Sequence, residues 1–373
     1  MWSGHPWVFS SDVEERGEAT AGAVVRVVDA RARFIGVAHY SAASQITLRI
    51  LAREPETIGR DFYRKRIAAA AAHRARVVRD SNAYRLVHAE ADLLPGLIID
   101  RYGDALVMQT LNQGMDRARD TIASCLEELY APRAIVLRND APVRAKEALP
   151  LESRLLTGSL DGAIRVHMNG LDWQADLLHG QKTGVFLDQR ENYIAAARHA
   201  RGEALDCFTS TGGFALHLAA ICSTVEGVDS SADALATAEA NRAANGIENV
   251  RFREAEAFDL LAGYAAAGRK FSTVVLDPPA FAKSRGAKAG AVRGYKEINL
   301  RALKLLAPGG ILVTCSCSFH VSEAMLLETV AEAALDAHRT LRVLERRTQS
   351  ADHPILLTVP ETHYLKCLIL EVL

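Results

Sequence analysis

No run in the chain approaches the roughly 18 uninterrupted apolar residues of a membrane-spanning helix. The opening Met1-Trp-Ser-Gly-His-Pro has neither the basic start nor the apolar stretch of a secretory signal, and a cytoplasmic location is expected. Cysteine is sparse: the six, at 125, 207, 222, 315, 317 and 367, include no C-x-x-C pair and no paired His/Cys spacing. That argues against a disulfide framework and a structural zinc site, and no metal is expected. Net charge is nearly absent, at -1. A nucleic-acid partner would therefore have to be met by local basic patches rather than by a whole-molecule field.

What is present is an ordinary globular composition, 49% hydrophobic and 24% charged, over 373 residues. This length suits roughly two or three domains. The organising stretch is Ala204 to Ala219, ALDCFTSTGGFALHLA. An apolar run ends in Asp206, a small-residue turn through Thr211, Gly212 and Gly213 follows, and an apolar helix-like run begins. A first strand, loop and helix of a doubly wound sheet read this way, with ligands at the carboxyl ends of the strands. The turn lacks the G-x-G-x-x-G that lets a backbone approach a pyrophosphate, so a phosphate-free cofactor such as S-adenosylmethionine suits it better. Asp229 ends the next apolar run, about 20 residues on, where ribose hydroxyls are held; it equally suits a turn before a helix capped at Ser230 or Ser231.

Further corners follow the same rhythm. Glu256-Ala-Phe258 places an acid and an aromatic where an adenine can be read. Ser272 to Asp277 reads as the fourth strand and runs into Asp277-Pro278-Pro279-Ala-Phe281. Two prolines stiffen the chain there, fixing the Asp277 carboxylate and nearby carbonyls around a planar group such as a flipped base. One strand later, Gly309 to Ser318 carries Cys315 and Cys317, which share a face if the strand persists, Cys317 lying nearer the ligand end. Cytosine C5 is a poor nucleophile, and a thiolate added at C6 makes it enamine-like and able to take a methyl group. A free thiol, with a pKa of about 8.5, needs activation for this.

The amino-terminal part reads differently. Ala23 to Val28, Phe34 to Val37 and Gln45 to Ile50 are β-branched runs broken by Gly, Asp and Ser, as in a small barrel or sandwich. Gly59 to Asp80 is an alanine-rich helix bearing Arg60, Arg64, Lys65, Arg66, Arg74, Arg76 and Arg79, which suits either a phosphate backbone or a solvated linker. Tyr84 to Leu177 alternates as a compact α+β unit, in which Asp92 and Asp100 suit turns. Gly180 to Arg190 reads as a polar binding loop entering a helix.

The phrases GHPWVF, SQITLRI, TGVFLDQR, LDCFTSTGGF, VDSS, LDPPAF, RGYKEINLRAL and TCSCS together resemble the class I S-adenosylmethionine-dependent 23S rRNA cytosine-C5 methyltransferases that carry an amino-terminal PUA domain. The likeness runs to Asp352-His-Pro354 and Thr362-His-Tyr-Leu-Lys366. It implies an α/β fold in which a Rossmann-like methyltransferase domain (181–373) follows a PUA-like RNA-binding barrel (1–56) and a linker helix with a central α+β domain (57–180). It further implies Cys317 as the nucleophile, Asp277 at the cytosine N3/N4 edge, and Phe186, Gln189 and Arg190, with Lys182 less directly, against the methyl donor beside Asp206, Thr211, Gly212, Gly213, Asp229, Glu256 and Asp277. Pro278, Pro279, Phe281 and Lys283 fall on the substrate side, with Arg285, Lys288, Arg293 and Lys296 near the RNA.

Two positions depart from the family pattern and a third from that of a related branch. Cys315 stands where a non-cysteine is usual, Glu256 where Asp is usual, and Ala280 where another RNA cytosine-C5 branch has a product-releasing cysteine. The implied partner is large-subunit rRNA, without a membrane, and a homodimer is left open. Two other readings stay open from sequence: an exocyclic-amine methyltransferase, for which Phe281 comes one residue late, and a non-catalytic RNA-binding assembly factor.

Overall fold

A computed structural model describes residues 4–180, 183–281 and 288–373. Lys182, Lys283 and Arg285 lie outside the described residues. By packing, the chain divides into two compact units that interleave along the sequence. The first holds Met1–Gly170, Ala175–Leu187 and Ala351–Thr362, and the second holds Leu171–Gln174, Asp188–Ser350 and His363–Leu373.

The first unit contains two sheets. Strands β1 (Trp7–Phe9), β2 (Val24–Val28), β3 (Phe34–Tyr40) and β4 (Ile46–Ala52) pair antiparallel in the order β1-β4-β3-β2, around Val8, Ala38, Tyr40, Leu48 and Ile50. Among the described residues β1 and β2 are its edges. Helix α1 (Arg60–Val77) follows, burying Phe62, Tyr63 and Ile67. These pack in one core with a second sheet, β5 (Ala83–His88), β6 (Leu97–Tyr102), β7 (Ala105–Thr110), β8 (Ala134–Asn139) and β9 (Glu152–Gly158), paired in chain order. Only β7 and β8 are parallel, because the short helices α2 (Gln113–Arg117) and α3 (Arg119–Tyr130) form a crossover between them. The chain then runs through β10 (Ile164–Met168) and β11 (Leu171–Ala175).

The second unit is the doubly wound sheet. Its elements are α4 (Arg190–His199), β12 (Glu203–Cys207), α5 (Gly213–Leu218), β13 (Thr224–Asp229), α6 (Ala232–Ala244), β14 (Val250–Glu254), α7 (Ala257–Ala266), β15 (Phe271–Leu276), α8 (Lys288–Leu305), β16 (Leu306–Ser316), α9 (Glu323–Asp336), β17 (Leu341–Arg347) and β18 (Lys366–Val372). The order is β14-β13-β12-β15-β16-β18-β17, with the last-made strand, β18, inserted antiparallel to both of its neighbours. Central strands covered on both faces read as unbroken apolar runs. Val274, Leu276 and Leu312 are fully buried, each contributing roughly 1.5–3 kcal/mol of transfer free energy. The strand order reverses between β12 and β15, which opens the ligand crevice at their carboxyl ends.

Candidate active site

The crevice is built from the ends of β12, β13, β15 and β16. Register sets Cys207 beside Leu276 and beside Val228, so Asp277 stands two residues beyond the level of Asp206 on the neighbouring strand. The Asp277 amide donates to the Cys207 carbonyl at 3.3 Å. After β12 the chain turns through left-handed backbone at Phe208, Ser210 and Gly212. Gly212, with φ of 92°, is the one glycine among them, and it caps α5 where a side chain would be strained. Gly213 admits the Tyr193 hydroxyl, which a Cβ would meet at 2.4 Å, so its role is to seat α5 on α4. Thr211 offers its carbonyl to the Asn241 side chain.

Asp206 is fully buried, with one oxygen, Oδ2, accepting from Thr209 Oγ1 at 2.6 Å and from the Ala215 amide at 2.9 Å. Its Oδ1 has no hydrogen-bond partner among the described residues. Burial pushes the carboxyl up to about 7, against those two hydrogen bonds, with a smaller contribution from Asp277 and Asp229. An orphaned buried carboxylate oxygen fits a cation-bearing cofactor without phosphates, as S-adenosylmethionine is. Asp229 accepts from the Ser210 and Ser231 amides, both at 2.9 Å, which ties the β12 loop to the start of α6. Ser231 caps α6, so the turn-and-cap reading of this stretch holds alongside the placement of Asp229 at a strand end. The Glu256 carboxylate is engaged as the cap of α7, accepting from the Asp259 amide at 3.1 Å.

Gln189 and Arg190 open α4. Gln189 donates to Asp277 Oδ2 at 3.0 Å and accepts from Asn192 at 2.7 Å, so the carboxylate expected at the cytosine edge is held by a residue expected on the donor side. Arg190 is buried at the start of α4, and Phe186 belongs to the first unit. Past Pro278 and Pro279, the Phe281 ring packs on Tyr295 at 4.8 Å and faces Phe258 at 6.2 Å. That places an expected substrate-side ring in the hydrophobic packing against α8.

The cysteines separate. β16 ends at Ser316, so the alternation that would put Cys315 and Cys317 on one face stops between them. Cys315 is fully buried opposite Cys367 in the β16–β18 ladder, where burial first and then Cys367 push its thiol well up. Cys317, beyond the strand, is half-buried while the other five cysteines are buried. Its Sγ lies 4.0 Å from the Pro278 carbonyl oxygen, so thiol and D-P-P turn share one corner.

Two residues at this corner, within RGYKEINLRAL and Thr362-His-Tyr-Leu-Lys366, have no role in the expected site. Tyr295 accepts from Ser316 Oγ at 2.9 Å and shares a 3.0 Å hydrogen bond with Ser318 Oγ, bracing the turn that bears Cys317. Lys366 is 2% exposed and donates to the Ser318 carbonyl at 2.7 Å and to the Tyr364 carbonyl at 2.9 Å. The available sign of the latter was a lysine heading the strand KCLILEV, directly before its apolar run.

Profiles of known families agree with this layout: that of PUA-like domains matches residues 1–53, and that of S-adenosylmethionine-dependent methyltransferases matches residues 145–368. The ribosomal RNA large subunit methyltransferase I of Shewanella amazonensis is 44% identical over 377 residues, covering 99% of this chain and 95% of that protein. Its counterpart from Shewanella denitrificans is 43% identical over 378 residues, with the same shares covered. The crystal structure of SMU.776 complexed with SAH superposes with a TM-score of 0.86 at 19% identity, over 100% of this chain and 96% of that one, a likeness of fold. On these matches, taken with the sheet order and the crevice, the chain belongs to the S-adenosylmethionine-dependent methyltransferase family, among relatives named ribosomal RNA large subunit methyltransferase I.

Proposed function

We propose that this protein methylates C5 of a cytidine in large-subunit ribosomal RNA through a covalent bond between Cys317 and C6. The substrate class comes from the relatives' names and the PUA-like segment. The chemistry rests on one observation, the half-exposed Cys317 thiol 4.0 Å from the Pro278 carbonyl at the mouth of the crevice. When bound, S-adenosylmethionine supplies a methyl group made electrophilic by its sulfonium. The Cys317 sulfur gives an electron pair to C6, the ring electrons move to C5, and C5 takes the methyl. Loss of the C5 proton then returns the electrons and expels the sulfur. Asp277, oriented by Gln189, holds the N3/N4 edge, and Asp206 and Asp229 hold the donor.

In this reading residues 1–56 bind RNA, 57–180 support the approach of the substrate, and 181–373 carry the reaction. The packing of Phe281 on Tyr295 supports C5 chemistry over an exocyclic-amine clamp, which needs a free aromatic face beside the turn. Transfer of labelled methyl to protein-stripped large-subunit rRNA, with identification of the product base, tests the reading. The expected product is 5-methylcytosine, abolished by Cys317→Ala and retained by Cys315→Ala. A methylated amine, or activity surviving Cys317→Ala, overturns it.

A further inference from the structure

β18 brings Lys366 directly opposite Ser316, the last residue of β16. Its Nζ reaches past that register position to the Ser318 carbonyl, and so lies against the two-residue turn that presents Cys317. With the second bond to the Tyr364 carbonyl, two of the three ammonium hydrogens are engaged. Both acceptors are neutral. No carboxylate pairs with Lys366 among the described residues, although the side chain is almost fully removed from water. A buried ammonium without an anion is expensive, and the titratable group acting on it is Cys317, which stands one residue from the carbonyl that Lys366 holds.

We propose that Lys366 is a positioning residue that keeps Cys317 as a thiolate, the buried ammonium and the half-buried sulfur forming an ion pair. The proton leaves the thiol for the lysine amine, and the sulfur keeps the electron pair it later donates to C6. Lys366 transfers no proton during turnover. It stabilises the sulfur anion before addition and again as the leaving group, so both steps draw on one fixed charge. Burial pushes Lys366 down to about 8, and the charge of Cys317 is what opposes that fall. An amine in that range exchanges a proton with a thiol of ordinary pKa near 8.5 at little cost.

The proposal rests on the nucleophile assignment above, and its test reads the thiol without reading methylation. The rate of iodoacetamide alkylation of Cys317, followed by peptide mass spectrometry against pH in the full-length protein, gives the apparent thiol pKa. It is expected to lie well below 8.5, and Lys366→Met is expected to raise it and to slow alkylation at pH 7 about tenfold. Lys366→Arg, which keeps a cation, is expected to restore most of the rate, and in Lys366→Met kcat falls while KM for RNA is unchanged. A wild-type Cys317 titrating at or above 8.5 overturns the proposal even if Lys366→Met does not fold. So does a Lys366→Met protein that alkylates as the wild type does. A normal alkylation result together with a product other than 5-methylcytosine would instead remove the C5 reading and leave the pair standing.

Discussion

Asp206 shows how far position in a strand announces chemistry and where that stops. Asp206, Asp229, Asp277 and Cys317 were all legible because each ends an apolar run, and the ends of such runs meet in one crevice once the sheet forms. The burial of Asp206 was not legible, since it depends on what α5 covers. Its carboxyl titrates at about 7 rather than 3.8, so the folded state keeps a proton that the unfolded state has lost. The resulting cost is absent below pH 3.8, grows as pH rises towards 7, and is complete above it. Asp206→Asn is therefore expected to be more stable than wild type at pH 8, by roughly 2 kcal/mol, with the gain gone below pH 4. Thermal melts of both proteins across that range check this. A cationic cofactor favours the carboxylate, so wild-type affinity for S-adenosylmethionine is expected to weaken as pH falls below 7.

Helix α1 illustrates the limits of composition for a whole element. Seven basic side chains between Arg60 and Arg79 suggested a surface for phosphates or a solvated linker, and part of the set serves neither role. Arg74 is 1% exposed and donates to the Arg85 carbonyl at 2.8 Å, the Asp352 carbonyl at 2.7 Å and the Asp92 carboxylate. Arg60 pairs with Glu128 at 2.7 Å, and Arg66 lies 5.1 Å over the Phe62 ring. The sequence could not separate Arg60 and Arg74 from the rest because their partners are distant in the chain. Arg74→Met leaves the Asp92 carboxylate unpaired and is expected to cost about 3–5 kcal/mol. Lys65→Ala, on the exposed face, is expected to stay within about 0.5 kcal/mol. Urea unfolding of the two variants gives the comparison. The end of β16 makes the same point for chemistry: the sequence supplied both cysteines, but the strand's stop at Ser316 leaves Cys315 inside it and Cys317 beyond it.

At the scale of the molecule, each unit buries a neutral histidine. His39, in the first, and His217, in the second, are both lowered to about 4, chiefly by burial. The unfolded chain takes up a proton at each near pH 6.5 and the folded chain does not until about 4. Stability is thus lost as pH falls through that window, by up to roughly 3 kcal/mol at each site. Calorimetry between pH 7 and 4 is expected to show both units weakening, and His39→Gln and His217→Gln each to flatten one part of the profile. The alternation of strands and helices across 204–316 made the doubly wound sheet legible, whereas the interleaving of the two units was not, because it rests on short segments without periodicity. That interleaving orders events during synthesis. The first unit takes its Asp352 contacts to Arg74 and Arg85 from a segment translated after most of the second. The central sheet likewise waits for β18 to enter between β16 and β17. Neither unit can be completed co-translationally from its own amino-terminal part, and the Cys317 corner acquires Lys366 only when the final strand has left the ribosome.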